Sequence, residues 1–120
     1  MSYSVPKTSV ARAAAVLTNS PVEAAQFQSQ RAADGWLGVD ADFTLGSLTN
    51  VILTPRVSRD GSTWFDVTDP GTLTLTATGK KAFAFRVGGW KFAEVTAVGT
   101  GTVAGSSLTL TYTWLDRIGV

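Results

Sequence analysis

The sequence predicts an all-β protein, an antiparallel β-sandwich (jelly-roll-like or immunoglobulin-like) of about eight strands with an N-terminal extended arm. Three observations lead there. From about residue 24 onward, apolar and polar residues alternate in short runs, the period of a strand with one buried face. Turn-forming clusters separate the runs: "RDGS", "DPG", "TGKK", "GG", "GTG" and "AGSS". No run of helical period stands between them, and short strands at this spacing mean a sandwich or a barrel. The 120 residues suit one domain, a body over residues 23–120 that buries roughly two thirds of its unfolded surface, with residues 1–22 as the arm.

The arm holds Pro6, Pro21 and small residues with little periodicity. Within it "VARAAAVL" (Val10 to Leu17) fits either two helical turns or an extended segment that pairs with a partner, and Pro21 stops any helix there. Extended, some twenty residues reach roughly 65 Å, while the body has an expected radius of gyration of about 13 Å. An ordered arm therefore reaches beyond its own domain; a frayed terminus is the other reading.

In the body, "AAQFQSQ" alternates weakly. "GWLGVDADFTLG" (Gly35 to Gly46) sets Trp36, Gly38, Asp40 and Asp42 on one face and Leu37, Val39, Ala41 and Phe43 on the other, apolar one. "LTNVILTPRVS" (Leu48 to Ser58) is β-branched, and Pro55 marks it as an edge or bulged strand late in its course. "TLTLTAT" (Thr72 to Thr78) alternates over its whole length. "KAFAFRVGGWKF" puts Phe83, Phe85 and Val87 on one face. "AEVTAVGTGTV" follows, and "SLTLTYTWL" alternates Leu108, Leu110, Tyr112 and Trp114 against threonines and Leu115.

"VSRDGSTWFDV" (Val57 to Val67) reads as strand, tight polar turn, strand. Gly61 accepts positive φ and Asp60 can bond its own backbone. Adjacent residues face opposite sides of a strand, so of Trp64 and Phe65 one ring enters the core, and Trp64 is expected to wedge the sheets together.

Ser58, Asp60, Gly61, Trp64 and Val67 together form S-x-D-G-x-x-W-x-x-V, which resembles a hairpin of β-sandwich proteins in tailed-bacteriophage virions. Discoidin-like and other galactose-binding-like sandwiches carry a related one. The later "KKAFAFRVGGWKFAEVTAVGTGTVAGSSLTLTYTW" is similar to the sequel in the phage proteins, where a small-residue turn precedes a final Thr-rich strand. The resemblance spans about Leu48 to Trp114. The phage and discoidin patterns often carry an aromatic-Arg or Tyr-hydrophobic-Arg pair on the strand after the hairpin, where this chain departs with Arg86 and then Lys91.

Composition excludes several chemistries. Cys and His are both absent, which removes disulfides, thiolate ligands, the common zinc ligands, the usual general base and the Ser-His and Cys-His nucleophile pairs. The net charge of +1, with charged residues at only 16%, gives no field to gather nucleic acid or a membrane surface. The N-terminal residues lack a secretory pattern, and no stretch approaches a membrane span. Asp40 and Asp42 share a strand face, and Asp60, Asp66 and Asp69 lie near one hairpin, but a solvated face and turn-forming Asp account for them. "GTGTVAG" lacks the Lys and helix of a phosphate loop. The four tryptophans are expected mainly in the core, with Trp90, after two glycines in "GGWK", as an interface anchor.

No catalytic residue, cofactor or metal is expected, and no enzyme. The residues point to an interaction module, and the phage resemblance implies a virion structural protein. The first expectation is a capsid decoration (cement) protein bound to the major capsid protein lattice or to other virion proteins, with neck and tail positions close behind, and a homo-oligomer (a trimer suits local threefold axes). Tyr3, Val5, Val10, Val16 and Leu17 of the arm, with Trp90, are the candidate interface, the arm acting by strand addition. The rival is a carbohydrate-binding module, which needs two or three exposed rings lining one groove. A glycosidase on paired Asp residues stands third.

Overall fold

Among the described residues ten strands follow one another with only a 3-10 turn, Ser29–Arg31, among them: β1 (Ser2–Ala15), β2 (Val22–Glu23), β3 (Phe27–Gln28), β4 (Trp36–Thr44), β5 (Leu48–Ser58), β6 (Trp64–Asp66), β7 (Leu73–Leu75), β8 (Gly79–Arg86), β9 (Phe92–Gly101) and β10 (Ser107–Gly119). The architecture is that of a computed structural model, which describes the backbone of residues 2–119 and the side chains of residues 5–116.

Alternation places the strands as the sequence predicts. In β4, Leu37, Val39, Ala41 and Phe43 are buried and Trp36, Asp40 and Asp42 are exposed. In β10, Leu108, Leu110, Tyr112 and Trp114 all enter the core. Two antiparallel sheets enclose that core, one ordered β1-β10-β4-β8, the other β2-β9-β5-β6, with β3 also on β9 and β7 also on β5. The pairs β2/β3 and β6/β7 each act as one interrupted strand, because each lies along the same neighbour. Eight strand positions result, and the order in which they visit the two sheets is that of a jelly roll. Of the two sandwich types the sequence allows, this topology selects the first.

Two expectations about strands change. Thr72–Thr78 alternates over its length, but only Leu73–Leu75 pairs. Pro55 lies in β5, which is central, paired with β9 along its length. Proline is tolerated because its partner Val95 directs its own N–H and C=O the other way, to the Tyr112 hydroxyl and to Ala24 N–H. The missing Pro55 N–H therefore points into the gap between β7 and β6, where the Pro55 carbonyl accepts from Val67 N–H at 2.9 Å.

Residues 2–15, expected as an arm, form β1, an edge strand hydrogen-bonded to β10 from Ser2↔Gly119 to Ala15↔Leu108. Sequence periodicity is weak here because β1 packs so little inward: of its described side chains only Ala11 is buried. Pairing of β10 with β4 stops at Thr113↔Gly38, and beyond it β10 keeps β1 on one side and meets residues 32–33 on the other, through the Ala32↔Asp116 bridge and Ala33 N–H to the Leu115 carbonyl. The molecule measures 51 × 27 × 20 Å.

Candidate interaction surface

The Asp60–Gly61 turn is built by side chains. Asp60 Oδ1 accepts from Ser62 and Thr63 N–H, each at 2.8 Å. Ser58 Oγ accepts from Gly61 N–H at 2.9 Å. Those backbone bonds, from Thr63 first and Ser62 second, hold the Asp60 carboxyl below the usual carboxylate range. Gly61 takes φ +81°, and among the described residues none other than glycine has positive φ. The connection is thus a five-residue loop, 59–63, rather than the tight turn the sequence suggests, and Asp60 and Gly61 sit at its centre.

Trp64 does not wedge the sheets. Its register partner is Ser58, and the next pair, Phe65↔Val57, puts Phe65 on the core side of β6 and Trp64 outside. The half-buried Trp64 ring lies 5.2 Å from the Arg56 guanidinium, which is hydrogen-bonded to the buried Glu94. Phe65 stays 51% exposed because β6 is a sheet edge. Trp90 packs against it (ring centroids 5.7 Å) and against the core, while Arg59 lies 4.2 Å over the Trp90 ring. Trp90 therefore closes the open side of its own sandwich, which limits what it can offer a partner.

All four tryptophans gather at one end of the sandwich. Trp36 opens β4 beside the last residue of β8, Arg86; Trp64 lies beside the last residue of β5; Trp90 is in the β8–β9 connection; Trp114 follows the last β10–β4 pair. Trp114 is core, 5.0 Å from Phe27 between ring centroids. Arg31 covers it at 5.1 Å and also pairs with Asp116 at 3.4 Å. The connections at the other end, 16–21, 45–47, 76–78 and 102–106, contain no aromatic residue. There Gly46, at φ +59°, abuts the backbone of Gly105, 2.5 Å from where a Cβ would stand.

Trp36 is the tryptophan left open, 44% exposed on the outer face of the four-stranded sheet. Leu115, Pro6 and Val10 are exposed on that face as well, Pro6 being the register partner of Leu115 and Val10 that of Thr111. A shallow depression of about 300 Å³ runs between Trp36, Pro6, Thr8, Leu115, Thr113 and Gly38. Its floor is low because Gly38 has no side chain: a Cβ there would stand 2.4 Å from Thr113 Oγ1. A second depression of about 380 Å³ lies farther along the face between Asp40, Asp42, Lys80, Lys81, Thr109 and Thr111. Among the described residues, no three carboxylates are placed to hold a metal ion, and no helix is long and apolar enough to cross a membrane. The value of Trp36 could have been found in the sequence, since it shares parity with Asp40 and Asp42, the wet side of β4.

The arm residues divide. Val10 is 60% exposed and Val16 is exposed as well, both facing solvent; Val5 is half-buried. The Tyr3 side chain lies outside the described residues. Leu17 is a correction: it is 1% exposed, its N–H donates to Ser106 Oγ at 3.1 Å, and it packs against Gly99, so it belongs to the core.

No protein-family model matches the sequence, and no curated protein does. Solved structures do share the fold. The SPBc2 prophage-derived protein YomS is 14% identical with a TM-score of 0.66, over 94% of this chain and 95% of that one. The PBSX exported protein XepA is 9% identical with a TM-score of 0.68, over 95% of this chain, which corresponds to 39% of XepA. A protein of Bacillus endospore appendages, described as a family of disulfide-linked pili, is 10% identical with a TM-score of 0.59, over 97% and 91%. The chain thus has a sandwich fold found in prophage-derived proteins and in a pilus-type appendage.

Proposed function

We propose that this chain is a structural subunit of a tailed-phage virion, and most concretely a capsid decoration protein seated on the major capsid protein lattice, with a neck or tail position as the alternative. The observation that carries the reading is the unroofed outer face of the four-stranded sheet, where Trp36, Leu115 and Val10 stand exposed around a small-residue floor. Burying such a face supplies affinity without any special chemistry. Repetition by symmetry, a trimer on local threefold axes included, lets modest contacts add. The fold likeness to two prophage-derived proteins and an appendage protein supports a role in an assembly. No bond-making step belongs to this reading.

The test is co-sedimentation with purified virions, followed by cryo-EM. Stoichiometric density on the head, lost in a Trp36→Ser/Leu115→Ser variant that still folds, is the expected result. Absence of the chain from virions overturns the reading. Sugar binding is the second reading, favoured by Trp36 alone. The groove of two or three exposed rings it calls for does not form around Trp36, since Trp114 is buried and Trp64 and Trp90 lie against Arg56 and Arg59.

A further inference from the structure

Strand β1 is held in an unusual balance. Its backbone pairs with β10 along its whole length, yet of its described side chains only Ala11 is buried. Outside that ladder, the backbone hydrogen bond that ties β1 to the second sheet is Ala25 N–H to Ala11 C=O, at 2.9 Å. Immediately afterwards the chain is anchored firmly. Leu17 is in the core, Thr18 C=O accepts from Gly99 N–H at 2.8 Å, and Asn19 Nδ2 donates to the Gly99 and Gly101 carbonyls. In the last third of β1, just before that anchor, the register breaks twice, between Val10 and Arg12 and between Arg12 and Ala15. One side chain stitches this stretch: Arg12 donates to the Ala15 and Val16 carbonyls at 3.1 Å each and to the Leu108 carbonyl of β10.

We infer that β1 is an exchangeable strand, which leaves its own β10 and pairs with β10 of a second copy of this chain, pivoting at Ala15–Val16 with Arg12 as the clasp that holds it closed. The exchange reforms every backbone bond it breaks and exposes almost no core, so protein concentration and the loss of the Arg12 contacts decide it. The β8 edge is a poor acceptor by comparison, because Lys80 and Lys81 guard it. Exchange is a contact between copies and stands apart from the virion reading: either can fail alone.

The chain has no cysteine, which permits a direct test. Full-length Thr8→Cys and Thr113→Cys chains, single variants at register partners, are mixed at high concentration and treated with a short bis-maleimide. A mixed adduct can form only between copies. The control mixes Thr8→Cys with Asp42→Cys, an exposed site that is not a partner of β1. Exchange predicts mixed adduct about tenfold above the control, as expected of two groups held at high effective concentration, and more still when both chains carry Arg12→Ala. Equal yields from both mixtures overturn the inference. The first comparison keeps Arg12 native, so it decides even where Arg12→Ala fails to fold.

Discussion

The Tyr112 hydroxyl donates to the Ala25 carbonyl at 2.8 Å, reaching from one sheet to the interrupted edge of the other. The same oxygen accepts from Val95 N–H at 3.2 Å, so one phenol fills the gap between β2 and β3 where the ladder lacks a partner. Burial of the ring pushes its pKa well above the ordinary tyrosine value, against the bond from Val95 and with the charge of Glu94. Tyr112→Phe keeps the ring and removes both bonds. It should cost about 1–3 kcal/mol, chiefly for leaving the buried Val95 N–H unpaired, read from urea unfolding, with faster amide exchange at Val95.

The pair Arg56–Glu94 invites a double-mutant cycle. Glu94 is buried on the outer side of β9, and Arg56 with Trp64 above it supplies its cover. Arg56→Met should cost about 3 kcal/mol, the lower end for stranding a buried charge, because the Arg56 side chain is itself 23% exposed. Arg56→Met/Glu94→Met should recover much of that loss. Denaturant midpoints of the four proteins check it.

Asp60 gives a pH signature. Its folded carboxyl titrates below the unfolded one, owing to the Thr63 and Ser62 N–H groups. Its contribution is therefore present above the ordinary carboxylate range and is lost as pH falls through the lower, folded value. NMR titration should place Asp60 below a typical aspartate. Asp60→Asn should flatten the fall in stability at the acid end by lowering stability at neutral pH, so that the two proteins converge as the pH falls.

Leu17 and Trp36 separate folding from attachment. Leu17→Ala should cost about 2–5 kcal/mol, as truncation of a buried leucine does. Trp36→Ser should change stability by no more than about 0.5 kcal/mol yet abolish co-sedimentation with virions. Thermal melts and the sedimentation assay, run on both variants, make the comparison.

Legibility followed burial. The faces of β4 and β10 could be read directly because each has one wet and one dry side. β1 could not, since an edge strand whose described side chains bury a single alanine leaves no period in the sequence. Thr72–Thr78 shows the opposite failure, a clean alternation of which the shared edge of β5 accepts only three residues. Asp60 and Gly61 announce a turn, but the loop length depends on Ser58, whose hydroxyl takes two of its N–H groups. The gathering of four tryptophans at one end depends on the register of strands far apart in the chain, which no local pattern carries.

The pairing of Ser2 with Gly119 has a mechanical consequence. Tension applied to both termini would unzip β1 from β10 one hydrogen bond at a time, the weakest way to load a ladder. Opposed pulls along β5 and β9 would instead load their long ladder in shear, many bonds at once. Strain is borne well along the middle strands and badly at the paired ends of β1 and β10.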